Sequence, residues 1–128
     1  MIIPFSKTND SHNESYWIEF YKVIYDIMIE NGYDCSKSEI GPYNIFSNIV
    51  ENLEESDIVI AVLTDYNANV WYELGIRHTL KSGTIMLLQE NQYVSFDIKS
   101  YGIILYKDSC GMEKFLKNEI NKYIKKNR

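Results

Sequence analysis

Cysteine is scarce in this 128-residue chain, which carries only Cys35 and Cys110. His12 and His78 are its two histidines, and neither has a Cys-x-x-Cys-type neighbour, so no spaced ligand set for a metal is present and a disulfide is not indicated. Two prolines and six glycines are too few for a linker-rich or low-complexity chain, and no internal repeat is visible. Positive charge is also in deficit. Thirteen Lys and Arg stand against eighteen Asp and Glu, for a net charge of -5. That balance excludes general binding to nucleic acid or to an anionic membrane, both of which need a dense basic surface. The one basic cluster, Lys122, Lys125, Lys126 and Arg128, lies where it complements the dipole of a last helix. No apolar run approaches a membrane span, and the opening residues lack the basic-then-apolar pattern of a signal peptide. The expectation is a single cytoplasmic domain over residues 1–128, with neither nucleic acid nor membrane as a partner.

What is abundant is core-forming material: 45% hydrophobic residues, 14% aromatic, with eleven tyrosines. From Glu14 to Glu30, apolar residues recur at helical spacing (Trp17, Phe20, Tyr21, Ile24, Ile27, Met28), and Asn31-Gly32 supplies a stop. A second helix is expected from about Tyr43 to Glu54, a third from about Asn69 to Lys81, and a last one from Met112 to Lys125, with Phe115, Leu116, Ile120, Tyr123 and Ile124 as its buried stripe. Between them lie strand candidates: "MIIPF", "YDCS", "DIVIAVL", "TIMLLQ" and "GIILY". The continuous β-branched run "DIVIAVL" has the signature of a central parallel strand covered on both faces. Strands alternating with helices give an α/β fold, a flavodoxin-like doubly wound sandwich with a mostly parallel sheet of about five strands. Ligands bind such sheets beyond the carboxyl ends of the strands. Two loops qualify, Ser6 to Asn13 and Thr64 to Asn69.

The second loop runs into "DYNANVWYELG", Asp65 to Gly75. By local rules Asn69 caps the helix and Glu73 falls in or just after the first turn, where the dipole favours a carboxylate. Arg77 stands four residues on and would pair with it, worth roughly 0.3–0.5 kcal/mol if exposed. A helical wheel places Val70, Trp71, Leu74 and Gly75 on one face and Tyr72, Ile76 and Leu80 on another. Only Glu73, Arg77 and Lys81 form a narrow polar strip, with Thr79 opposite. The helix is then largely enclosed, with Glu73 emerging between apolar neighbours close to the crevice, the usual setting of a reactive acid.

The longer segment "SDIVIAVLTDYNANVWYELGIRHTL" resembles the signature region shared by bacterial TIR-like proteins and nucleoside 2-deoxyribosyltransferase relatives, in which an aliphatic strand leads into an "NxNVxYELG" helix start. "IIPFS" is similar to the group's first strand and loop, and "VSFDIKSYGIILY" to its later "PFDLR..R.I.Y" segment, although Ser95 replaces a proline and Lys99 and Gly102 replace arginines. Together these pieces run from about Ile2 to Tyr106.

Both branches of that group break N-glycosidic bonds, and the resemblance implies that Glu73 is the catalytic carboxylate, attacking or electrostatically stabilising a sugar carbon of oxocarbenium character. Nicotinamide leaves NAD as a neutral molecule, so one glutamate suffices, whereas a nucleobase leaving as an anion benefits from a second acid. Asp57, Asp65 and Asp97 are the candidates, and none stands out. The resemblance therefore implies NAD as a substrate rather than a cofactor, cleaved by hydrolysis or cyclisation. Phe5, Ser6 and Lys7 would line the ribose or base side, and Asp65, Asn69 and Trp71 would shape the pocket. Lys7 and the helix-start amides would serve the diphosphate. No metal is implied. The family further implies homo-oligomeric assembly and a role in anti-phage signalling, with a separate effector protein responding to the product. The alternatives are deoxyribosyl transfer, or a self-associating module that binds a nucleotide without turning it over.

Overall fold

The computed structural model describes residues 1–4, 7–37, 46–93 and 102–127. Helix α1 spans Glu14–Glu30. It starts where expected because the side chain of Asn13 accepts a hydrogen bond from the Tyr16 amide at 2.9 Å. It stops at Asn31-Gly32, with Gly32 at a φ of 85° that a residue with a Cβ adopts only under strain. Asn31 also donates to Asn121 at 2.8 Å, which ties this end of α1 to the last helix. Helix α2 spans Phe46–Glu55, strand β1 Val59–Val62, helix α3 Ala68–Leu80, strand β2 Thr84–Gln89, strand β3 Ile103–Tyr106 and helix α4 Met112–Lys126.

The three strands form one parallel sheet in the order β1-β2-β3, with Val59 opposite Thr84 and Met86 opposite Ile103. All four residues of β1 are buried, as a strand covered on both sides requires. On one face Ile60, Val62, Ile85, Leu87 and Tyr106 pack with Trp17, Phe20, Ile24 and Ile27 of α1 and Leu116, Ile120 and Ile124 of α4. On the other, Val59, Ala61, Leu63, Met86 and Leu88 pack with Leu53 of α2 and Val70 and Leu74 of α3. Helices on both faces of a parallel sheet make this an α/β sandwich.

Two of the five expected strands are not formed as strands among the described residues. The opening segment keeps a single parallel bridge, Ile2 to Ala61, in which Ile2 donates to the Ile60 carbonyl and accepts from the Val62 amide. Pro4, which has no N–H, leaves too little chain for a ladder. Residues 33–36 carry no strand, though the Ser36 carbonyl accepts from the Met1 ammonium at 2.7 Å. On α4, Phe115 is 40% exposed rather than part of the buried stripe. The irregular segment expected over 94–100, which includes Asp97, lies outside the described residues.

Candidate functional site

Helix α3 is capped by Asn67, not Asn69. The Asn67 side-chain oxygen accepts from the amides of Asn69 at 3.0 Å and Val70 at 3.3 Å. Two asparagines compete for this role, and the backbone before them decides. Asp65 and Tyr66 are both left-handed, with φ of 66° and 44°, and this reversal delivers Asn67 in the extended conformation a cap needs. Asn69 is consequently helical and exposed, and Glu73 sits in the second turn, beyond the amides that concentrate the positive end of the dipole.

The helix is also rotated relative to the expected wheel. Its buried stripe is Val70, Glu73, Leu74 and Arg77, while Tyr72 is 57% exposed and Gly75 faces outward. The polar strip is thus turned into the protein, with Glu73 only 1% exposed and Arg77 fully buried. The reason lies in what Arg77 finds there. Its Nη1 donates to the carbonyls of Leu53 and Ser56, and its Nη2 to those of Asp57, Ser82 and Gly83. The guanidinium therefore gathers the carboxyl end of α2 and the turns on either side of the sheet entry. Where an i,i+4 ion pair with Glu73 was expected, the guanidinium is taken up by backbone carbonyls, and no Arg77–Glu73 ion pair occurs among the described residues. Trp71 is half-buried, 6.0 Å from the ring of Tyr66, and its indole N–H is buried without a hydrogen-bond partner among the described residues. Tyr66 itself is 73% exposed.

A second constellation occupies the carboxyl ends of the strands, on the α1 side. The loop after the Ile2 segment is folded tightly by Asn9, whose side-chain oxygen accepts from the amides of Ser11 at 2.8 Å and His12 at 2.9 Å. This turns His12 inward, to 3% exposure. His12 Nδ1 meets Asp65 Oδ2 at 2.5 Å, and its Nε2 meets Asp108 Oδ2 at 3.0 Å. The ring stacks on Tyr16 at 4.2 Å and meets Trp17 edge-on at 5.6 Å. Asp65 also accepts from the Thr8 hydroxyl and from Gln92 Nε2, each at 2.6 Å, while its own amide donates to Gln92 Oε1 at 2.6 Å. Trp17 donates to Thr8, and Thr64 and Tyr106 share a buried hydroxyl contact at 2.6 Å.

These contacts set the charges. Burial alone would lower the pKa of His12, but its hydrogen bonds to Asp65 and Asp108, with their fields, outweigh that and raise it above 6.5. Burial would raise Asp65, but the bonds from Thr8, His12 and Gln92 bring it below 3.8. Tyr16 is pushed well above the ordinary tyrosine value by burial and by its neighbours Tyr106 and Asp108. Its hydroxyl lies near both without meeting hydrogen-bond geometry among the described residues.

No family model matches this chain, and neither does a curated protein or a solved structure. The site therefore rests on its own geometry. Of the residues the sequence singled out, Phe5 and Ser6 lie outside the described residues. Lys7 is exposed and pairs with Asp10 at 3.2 Å. Asp65 belongs to the His12 cluster, and Glu73 and Trp71 belong to α3, which packs on the other face of the sheet. Cavities of about 330 Å³, lined by Met28, Cys35 and Ser56, and 560 Å³, lined by Lys81, Gly83 and Tyr123, open at the opposite end of the strands. Among the described residues no group of three or more His, Cys, Asp or Glu side chains is arranged to hold a metal. Sequence reasoning missed His12, Asp108 and Tyr16. His12 carries one signal in the sequence, its place in the Ser6 to Asn13 loop beyond the carboxyl end of a strand.

Proposed function

We propose that this protein cleaves an N-glycosidic bond, with NAD as substrate and Glu73 as the carboxylate that meets the sugar carbon. The observation that carries this reading is the burial of Glu73, 1% exposed on the inward stripe of the helix that follows the β1 loop. A carboxylate kept from water in a low-dielectric setting interacts far more strongly with a developing oxocarbenium ion than one in solvent. Nicotinamide departs neutral, so the step asks for one carboxylate, and the anomeric carbon then takes water or an internal hydroxyl. A flavodoxin-like sheet order, with the Ile2 segment beside β1, fits a ligand at the strand ends.

Because Glu73 is closed off in the single chain, turnover goes with an opened or assembled form. The product would then act as a signal for a separate effector. Purified protein is incubated with NAD across a concentration range and nicotinamide and ADP-ribose products are followed. Release by the wild type, abolished by Glu73→Gln, is the expected result. No release at any concentration, or undiminished release by the variant, refutes it. Incubation with a deoxynucleoside and a second base reports on the transferase branch.

The same burial favours one other reading, a self-associating module that binds a nucleotide without turnover, in which Glu73 only supports the helix. Calorimetric binding of NAD with no product at all would select that reading.

A further inference from the structure

The cluster around His12 joins three segments far apart in sequence: the loop over residues 8–12, the turn after β1 and the turn after β3. Both ring nitrogens face carboxylate oxygens, and an ionised carboxylate can only accept. Each nitrogen must therefore carry a proton, which is the geometry of an imidazolium. We propose that His12 is a proton-operated clasp: as imidazolium it ties its loop to both strand-end turns, and as neutral imidazole it keeps Asp65 and releases Asp108.

The asymmetry follows from how the two carboxylates are held. The Asp65 side chain is 4% exposed and receives Thr8 and Gln92 as well as His12, on a backbone that Gln92 also grips. The Asp108 side chain is 29% exposed and accepts from His12, with the Tyr16 hydroxyl as its other polar neighbour. A neutral ring has a single N–H. Placed on Nδ1 it preserves the 2.5 Å contact to the multiply bonded Asp65, and the lone pair of Nε2 then repels the part-exposed Asp108 carboxylate toward solvent.

Among the described residues no other group facing the ring titrates in the same range. From α1 come Tyr16 and Trp17, and from β3 comes Tyr106, which lies near Tyr16. Both tyrosines are kept neutral by burial. From its own loop comes the Asn9 NH2, a donor 3.3 Å from Nδ1, against which the 2.5 Å contact to Asp65 is the shorter and charge-assisted one, while Lys7 and Asp10 pair on the solvent side. The hydrogen bonds to Asp65 and Asp108 outweigh burial and raise the His12 pKa above 6.5, so the clasp is closed below the raised value and opens as pH rises through it. The device is independent of any role for Glu73.

The test is a pH titration of the whole protein, with ¹⁵N-labelled histidine observed by two-bond nitrogen–proton correlation. His78→Asn assigns the two histidines. The expected His12 signals show both nitrogens protonated at pH 6.5, a midpoint above 6.5, and a neutral form protonated at Nδ1. The backbone amides of residues 107–111 should move with that midpoint, while those of Asp65 and Gln92 stay in place. Asp108→Asn should move the midpoint down toward the ordinary value. A midpoint at or below 6.5, a neutral form protonated at Nε2, or Asp65 and Asp108 amides moving together would overturn the clasp.

Discussion

Replacing Arg77 with methionine should remove about 3–5 kcal/mol of stability, the usual cost of deleting one side of a buried charged network. Methionine fills a similar volume and leaves little cavity, so the loss comes from hydrogen bonding. Five carbonyls, on Leu53, Ser56, Asp57, Ser82 and Gly83, lose a cationic donor. Each such bond contributes about 1.5–3 kcal/mol when considered alone. The sum is not the net loss, because five carbonyls share two nitrogens, the Nε has no hydrogen-bond partner among the described residues, and wild type bears a guanidinium desolvation cost on folding that methionine does not. Against a domain stability of about 5–15 kcal/mol the net loss is still large. Arg77→Lys keeps the charge but replaces a two-nitrogen fork with one ammonium. It cannot reach both sets of carbonyls and should recover only part of the difference. Urea unfolding followed by circular dichroism and tryptophan fluorescence measures both variants, with unchanged slopes licensing the comparison. A methionine variant within about 1 kcal/mol of wild type would show that water satisfies those carbonyls and that Arg77 is not what holds α3 in place.

Gly83→Ala should destabilise by more than about 2 kcal/mol, since its φ of 97° is strained for alanine and the added Cβ would lie 2.7 Å from the Asp57 carbonyl oxygen and 3.2 Å from Arg77 Nη2. Gly32→Ala has the same strain in open space and should lose only about 1–2 kcal/mol, so equal urea midpoints would contradict the close approach at Gly83. Tyr66→Gly relieves a left-handed residue whose ring is largely in solvent, and should stabilise by up to about 1 kcal/mol; a drop in thermal midpoint would mean the ring packs usefully. The stability difference between wild type and His12→Gln should be greatest between about pH 4 and 6.5. His12, with a raised pKa, contributes fully below 6.5 and loses its contribution as pH rises through the folded value. Asp65, with a lowered pKa, contributes above 3.8 and loses its share as pH falls through its folded value. A difference independent of pH would refute the pairing.

Much of the fold was legible because its signals are local and repeated. The apolar spacing in Glu14–Glu30 and the unbroken run before Thr64 translated directly into α1 and β1. The rotation of α3 was not legible, because a helical wheel assumes that charges face water. That assumption fails for Glu73 and Arg77, since the carbonyls that receive Arg77 come from residues 53–57 and 82–83, a convergence that only the tertiary fold creates. The choice of Asn67 over Asn69 failed for a related reason: two consecutive left-handed residues are not announced by Asp65-Tyr66, neither of which is glycine. His12 was hidden because its partners, Asp65 and Asp108, lie 53 and 96 residues away.

The inward stripe of α3 fixes more than a charge. A helix rolled by one residue turns about 100° and one slid by a turn moves about 5.4 Å. Either displacement would pull Arg77 out of its ring of carbonyls, so α3 has one azimuth and one height available to it. Glu73, one turn away on the same stripe, inherits that registration from a fastening it does not touch. The placement of the Glu73 side chain is therefore set at the amino end of the sheet, by the α2 terminus and the turn before β2. Substitutions there that alter the carbonyl ring would be felt at Glu73 as a displacement of its side chain.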